Sequence, residues 1–275
     1  MTVREVKERF KFLQYGRLKW IVAVVATITQ SFKYRSLVLV YPDCDGDWYN
    51  RRSNVTYVSP ELNVTSWEQA QKAVMLLWCY DCELKRGDTV IDIGAGIGDD
   101  VVSFSRLAGE EGLVIAIEAH PVTFRCLEKT VSANQLNNVV CHNIALSDTE
   151  DEIYVSTEQN FLSNSIVDNK TTGPVKVQAR PLDSLMKEMN VTRIDYIKMN
   201  IEGAEVAALK GMSEVLTKTP NLVVSCHDFK TDRGESPAFS TFNDVVLISR
   251  NAGYHLKHDN KHLLPESKYY VYGKK

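Results

Sequence analysis

The stretch IDYIKMNIEGAE, residues 194–205, ends an apolar run in Lys198, Asn200, Glu202 and Glu205, grouped around Gly203. Downstream, CHD supplies His227 and Asp228. An ammonium, an imidazole and carboxylates at one strand end are equipment for removing a proton from a hydroxyl. His227 is the first candidate for that base, because imidazole titrates near neutrality, with Asp228 to orient it. Lys198 is the second, since burial disfavours its charge. Glu202 is the third, or a contact for acceptor hydroxyls, and Asp228 also stands on the acceptor side. The competing reading is a structural ion pair between Lys198 and Glu202 or Glu205. Glu202, His227 and Asp228 could offer ligands to Mg²⁺ or Mn²⁺, but no metal is predicted.

A second constellation is VIDIGAGIGDD, residues 90–100. A strand carrying Asp92 leads into Gly94, Gly96 and Gly98, followed by a helix start. Glycines allow a tight turn and close backbone approach to a ligand, and the helix start offers free N–H groups. A nicotinamide fingerprint would need glycine at 99, where Asp99 stands. Acidic residues on both sides of the turn suit a cationic ligand better than a pyrophosphate. S-adenosylmethionine, with its ammonium and sulfonium, is such a ligand. Glu118 ends the next strand, where its carboxylate can accept ribose hydroxyl protons. Ala119 follows it, and Asn143 and Ala145 follow the third strand, where they can meet an adenine edge. Ala95 and Asn200 complete the predicted cofactor set.

These groups need a frame. Ser66 caps a helix expected to run to about Leu84. Strands are expected at TVIDIG, LVIAIEA (113–119), NVVCHNIAL (138–146), IDYIKMN and NLVVSCHD (221–228), with amphipathic helices between them. Apolar strands alternating with helices indicate a parallel sheet covered on both faces. YHLKH and YYVYG read as a closing hairpin. EIYVS and VKVQAR read as an inserted hairpin around the polar loop 157–173, where Asn160 and Ser165 are predicted to meet the acceptor or the methionine end of the cofactor. In open α/β sheets, ligands bind beyond the carboxyl ends of the strands, which places Asn200 and His227 beside the glycine turn.

The chain resembles the FkbM family of class I S-adenosylmethionine-dependent methyltransferases over roughly residues 66–230. The resemblance rests on GDTVIDIGAGIGDD, IEAHPVTFRCLEKTVSANQLNNV, ALSD (145–148), RPLDSL (180–185) and IDYIKMNIEGAEVAALKGM. It implies a doubly wound, mostly parallel, seven-stranded Rossmann-like sheet with a C-terminal antiparallel hairpin. It also implies cofactor roles for Asp92, Gly94, Gly96, Gly98 and Glu118, active-site placement for Lys198, Asn200, Glu202 and His227, and methylation of hydroxyls on sugars or natural products. Asn200 stands where the family usually has aspartate, and Gly96 where many members have asparagine.

Residues 1–65 lie outside the resemblance and read as irregular, a basic extension ahead of a methyltransferase domain at 66–275. Residues 1–40 hold eight basic and two acidic side chains in a chain of net charge −3. That arm suggests peripheral contact with a membrane surface or a cap over the substrate. WIVAVVATI (20–28) is too short to span a bilayer and reads as a buried or interfacial helix. Asp43, Asp45 and Asp47 form a surface turn, because Gly46 is misplaced for a calcium loop. Six cysteines without a framework, and four Asn-x-Thr sequons at Asn54, Asn63, Asn169 and Asn190, fit a reduced cytoplasmic protein, membrane-associated if the arm binds lipid. The acidic body argues against a nucleic-acid substrate. The expected reaction is O-methylation of a hydroxyl-bearing small molecule or glycan. The alternatives are a nucleic-acid or other N-methyltransferase, or a cofactor-binding protein that has lost catalysis.

Overall fold

The computed structural model describes residues 11–156, 166–167, 174–257 and 265–275. Strands β1 (Val38–Pro42), β2 (Trp48–Arg52) and β3 (Val55–Ser59) form an antiparallel sheet. The main sheet uses β4 (Thr89–Ile93), β5 (Leu113–Ile117) and β6 (Val139–His142). A small sheet joins β7 (Ala145–Leu146), β8 (Asp151–Val155), β9 (Ile166–Val167) and β10 (Val175–Arg180). The main sheet is completed by β11 (Tyr196–Met199), β12 (Asn221–Ser225), β13 (His255–Lys257) and β14 (Tyr270–Lys274). Its order is β13-β14-β12-β11-β4-β5-β6, with β14 alone running opposite to the other strands.

The strand period of two divides the core. Ile91, Ile93, Ile115, Ile117, Ile197 and Met199 face the helices Leu182–Glu188, Glu205–Lys210, Ser213–Lys218 and Phe242–Asn251. Val90, Val114, Ala116 and Tyr196 face the turn Val74–Trp78 and the helices Asp99–Ala108 and Pro121–Ala133. Asp92 and Lys198 are the charged members of that second row. The chain runs β4, β5, β6 to one side and later β11, β12 to the other. The switch lies between β4 and β11, where open α/β sheets bind ligands.

Two sequence expectations change and a third holds. The helix capped by Ser66, whose capping box with Gln69 is present, is α-helical only to Ala73. It then widens into a π turn, Val74–Trp78, rather than continuing to Leu84. There the Tyr196 hydroxyl donates to the Trp78 carbonyl. The segment 138–146 is two strands, because Ala145 and Leu146 leave the main sheet to pair with β10. The inserted hairpin is present as β8 against β10, with five residue pairs in register.

Residues 1–65 also differ from the irregular reading. The helix Lys19–Tyr34 lies along β1. Thr27 Oγ1 accepts from the Val40 N–H and donates to the Val40 carbonyl, and Ser31 Oγ does the same with Val38. Two hydroxyls one turn apart thus close the free edge of the sheet. The strands were hidden because the outward residues of β1, Leu39 and Tyr41, are as apolar as the inward Val38 and Val40, which erases the alternation. This layer is stitched to the helix Pro121–Ala133: the Val58 N–H donates to Thr130 Oγ1, and the Thr56 N–H to Asn134 Oδ1 just beyond the helix end. Asp43, Asp45 and Asp47 form the β1–β2 turn and converge on Lys129 Nζ at 2.6, 2.8 and 2.6 Å. An ammonium therefore occupies the centre of the only carboxylate cluster of metal-binding geometry among the described residues.

Candidate active site

A cleft of about 350 Å³ opens beyond the carboxyl ends of β4, β5 and β11. Its floor is the turn Gly94–Gly96, and Asp99, Asp100, Glu118, Asn200 and Glu202 stand around it. Trp78, from the π turn, and the segment Ile144–Leu146 supply apolar wall.

The glycines of the turn do different work. Gly94 has φ +74°, and a Cβ there would lie 2.0 Å from the Asn200 carbonyl oxygen. It lets the first turn touch the end of β11. Gly96 has φ +56° and meets nothing within 4 Å, so asparagine, which tolerates that conformation, can stand there. Gly98 does not line the cleft: its missing Cβ makes room for Leu127 Cδ1 at 2.8 Å. Its predicted cofactor contact becomes a packing role beneath the turn.

Lys198 is fully buried, with Nζ 2.7 Å from Asp92 Oδ1, 3.0 Å from the Gly94 carbonyl and 3.4 Å from Asp100 Oδ2. Burial opposes its charge, but Asp92 and Asp100 outweigh burial and hold its pKa above the ordinary lysine value. This reverses the expectation of a neutral basic lysine, and it replaces the expected pair with Glu202 or Glu205. Lys198 is a cationic post under the glycine turn. Asp92, likewise fully buried, reaches the cleft only through that lysine, and its Oδ2 has no protein partner. Burial pushes Asp92 up to about 7, with Lys198 offsetting only part of it. Burial and then the charge of Asp100 push Asp99 up to about 7. Glu118 is also pushed to about 7 by burial, against hydrogen bonds from the His120 N–H to Oε1 and the Gly96 N–H to Oε2. Asp99 and Glu118 keep some exposed surface because they line the cleft, although they sit deep in the protein.

Asn143 was expected at an adenine edge. Its amide instead donates to the Glu118 and Ala119 carbonyls at 2.9 Å each, and it fixes the exit of β5. Ile144, Ala119 and Ala145 reach the cleft in its place. Asn160 and Ser165 lie outside the described residues.

On the acceptor side, His227 is 3% exposed and sits behind the lining. Its Nδ1 is 2.8 Å from Glu205 Oε1, and its Nε2 is 3.4 Å from Glu202 Oε1. Glu205, fully buried, also accepts from the Gly203 N–H and the Thr241 hydroxyl. Glu202 lines the cleft and pairs with Lys230. It holds φ +51°, followed by Gly203 at +97°, a left-handed pair that turns Glu202 between cleft and imidazole. Asp228 does not orient His227 or face an acceptor. Its Oδ2 accepts the N–H groups of Thr241 and Phe242 at 3.1 and 3.0 Å and anchors the next helix. With Glu202 held by Lys230 and Asp228 by that helix start, the three imagined metal ligands do not converge. Glu205, expected as a possible ion-pair partner of Lys198, instead pairs with His227. Its partner lies 22 residues away, so only the folded register of β11 and β12 pairs them.

The cleft fits S-adenosylmethionine. Asp99, Asp100, Glu118 and Glu202 give it a negative wall, Lys198 is neutralised by its own carboxylates, and Asp92 keeps an orphaned oxygen beneath the turn. A cation is welcome there and a pyrophosphate is not.

Three relatives are similar in sequence. The chain is 28% identical over 167 residues to protein-L-isoaspartate O-methyltransferase of Methanococcus aeolicus, covering 56% of this chain and 76% of that protein. It is 24% identical over 188 residues to methyltransferase 1 of Beauveria bassiana, covering 60% and 75%. It is 29% identical over 173 residues to the 2-O-methyltransferase NoeI of Sinorhizobium fredii, covering 56% and 70%. The methyltransferase FkbM domain matches residues 92–256, the segment from the end of β4 into β13, with the residues of the cleft from Ile93 onward. With more than half of its length in that match, the chain belongs to the FkbM methyltransferase domain family, and its methyl donor is S-adenosylmethionine.

Proposed function

We propose that this methyltransferase transfers the methyl group to oxygen, on a hydroxyl of a sugar, glycan or hydroxylated natural product. The carrying observation is Glu202, a carboxylate on the cleft wall backed by the buried pair His227–Glu205. When bound, S-adenosylmethionine supplies an electrophilic methyl on a sulfonium. Glu118 would hold the ribose hydroxyls, the turn Gly94–Gly96 and Asp99 would hold the amino-acid end, and Ile144–Leu146 would cover the base. Glu202 accepts the acceptor's hydroxyl proton in a hydrogen bond. His227 behind it shares that proton and, once charged, is held between Glu202 and Glu205.

The character of the wall supports a neutral acceptor. Lys198 is committed to Asp92 and Asp100, and Lys230 to Glu202. A carboxylate acceptor, such as an isoaspartyl group, would meet several carboxylates and no uncommitted lysine among the described lining residues. The name of the Sinorhizobium relative, a 2-O-methyltransferase, points the same way. Methyl-transfer assays over hydroxylated sugars and an isoaspartyl peptide test this. Turnover on the peptide with none on any hydroxyl would overturn it. Glu202→Gln is expected to lower kcat about 100-fold, the range of a placed base, and to leave the cofactor Kd within about threefold, as measured by calorimetry. His227→Asn should lower kcat in the same assays.

The raised carboxyls of Asp92, Asp99 and Glu118 set a pH dependence. In the unfolded chain they lose their protons near pH 4, whereas the native cleft keeps them to about 7. Their contribution to folding is therefore present at low pH and lost as pH rises through about 7. The same deprotonation sharpens attraction for a cationic ligand. Melting of the cofactor-free protein should fall from pH 6 to 8 while the rise in Tm given by S-adenosylmethionine grows. A constant increment across that range would remove these carboxylates from cofactor binding.

A further inference from the structure

The helix Lys19–Tyr34 is amphipathic in the reverse sense. Ala23 and Ala26 are buried, and Thr27 and Ser31 hold the edge of β1. Its large apolar side chains point away from the protein. Trp20, Ile21, Val24, Val25 and Ile28 are each more than half exposed, and Phe32 is 87% exposed. At about 100° per residue these six fall in one sector of roughly 140°, opposite the alanines. Isolated exposed apolar residues are ordinary, but a continuous stripe of this size marks a contact surface.

Charge identifies the contact. Residues 16–42 contain Arg17, Lys19, Lys33 and Arg35 and no aspartate or glutamate. Arg17 and Lys19 flank one end of the stripe, and Lys33 and Arg35 the other. The next acidic residues, Asp43, Asp45 and Asp47, are drawn onto Lys129. An apolar face with a tryptophan, framed by cations, is the composition of a helix lying in a lipid interface. At 16 residues it is about 24 Å long, and no described helix is long and apolar enough to cross a membrane. A second copy is a poorer occupant. Antiparallel pairing through this face would set Arg17 and Lys19 against the other copy's Lys33 and Arg35, and parallel pairing would set like on like. Neither arrangement has a carboxylate within residues 16–42 to relieve it.

We propose that the outward face of the helix Lys19–Tyr34 docks the protein on an anionic phospholipid surface, with the stripe among the acyl chains and the four cations at the headgroups. The test is co-sedimentation of the full chain with vesicles of phosphatidylcholine alone or with about one-third phosphatidylglycerol. Binding to the anionic vesicles should be at least tenfold stronger and should weaken with salt. The double variant Ile28→Glu, Phe32→Glu should lose it at least tenfold, with Tm and S-adenosylmethionine affinity unchanged because both side chains are exposed. Three results overturn the proposal. The first is equal failure on both vesicle types. The second is a dimer in light scattering that the double variant converts to monomer, which gives the face to a second copy. The third is vesicle binding only after removal of residues 1–10, which gives the face to that segment.

Discussion

Gly94→Ala is expected to abolish measurable cofactor binding and to destabilise the fold by at least about 3 kcal/mol, the upper end for single substitutions. Two costs combine. An L side chain at φ +74° is disfavoured by about 1–2 kcal/mol. The added Cβ would also sit 2.0 Å from the Asn200 carbonyl oxygen and 2.9 Å from Ile201 Cγ2. That oxygen is backbone at the end of a buried strand, so relief requires separating β4 from β11 at the switch point. The separation pulls the Gly94 carbonyl from Lys198 and opens the floor of the cleft. Gly96→Asn is the control: its φ of +56° suits asparagine and nothing lies within 4 Å. Calorimetry with S-adenosylmethionine and thermal melts should show Gly96→Asn within about threefold in Kd and close to the parent in Tm. A Gly94→Ala protein with normal melting and binding would refute the close-contact account.

Lys198→Met carries the second large effect. Removing one partner of a buried ion pair typically costs about 3–5 kcal/mol, because the other charge is left without compensation. Here the stranded group is Asp92, fully buried with one oxygen already unpartnered. Asp100, 3.4 Å from the ammonium, loses a partner too. The loss should depend on pH with a definite sign. Asp92 is already pushed up to about 7 with the lysine in place, and it moves higher without it. At pH 6 it folds protonated and neutral, so the deficit is small; at pH 8 it must be buried charged, or take up a proton, and the deficit is large. Urea unfolding at the two pH values checks this. The double variant Lys198→Met, Asp92→Asn should recover much of the pH 8 loss, which a double-mutant cycle quantifies. Equal stability of parent and Lys198→Met at pH 8 would leave the pair without a structural role.

Legibility in the sequence followed the range of the interaction. Strands β4, β5, β11 and β12 were readable because both their faces are buried, which leaves continuous apolar runs. The glycine turn, Glu118 and the cluster after β11 were readable because each lies within a few residues of a strand end. Of the N-terminal layer the helix was readable, but the strands β1 to β3 were not, since the outward residues of β1 are as apolar as the inward ones. Side-chain duties were least legible. Asp228 and Asn143 have the right types near the right strand ends, yet both are consumed by backbone N–H and carbonyl groups that only folding brings near.

The sequence by itself determined the fold class, the cofactor turn and the strand ends that carry the polar groups. Those features depend on local spacing and on the two-residue period of strands. Only the tertiary structure decided which groups meet. Lys198 met Asp92 across 106 positions of chain, so it keeps its charge. His227 met Glu205, not its neighbour Asp228, so it lies behind the cleft and Glu202 stands in front. Partners and protonation states are set by distance and burial in space, and neither is written in the spacing of residues along one strand.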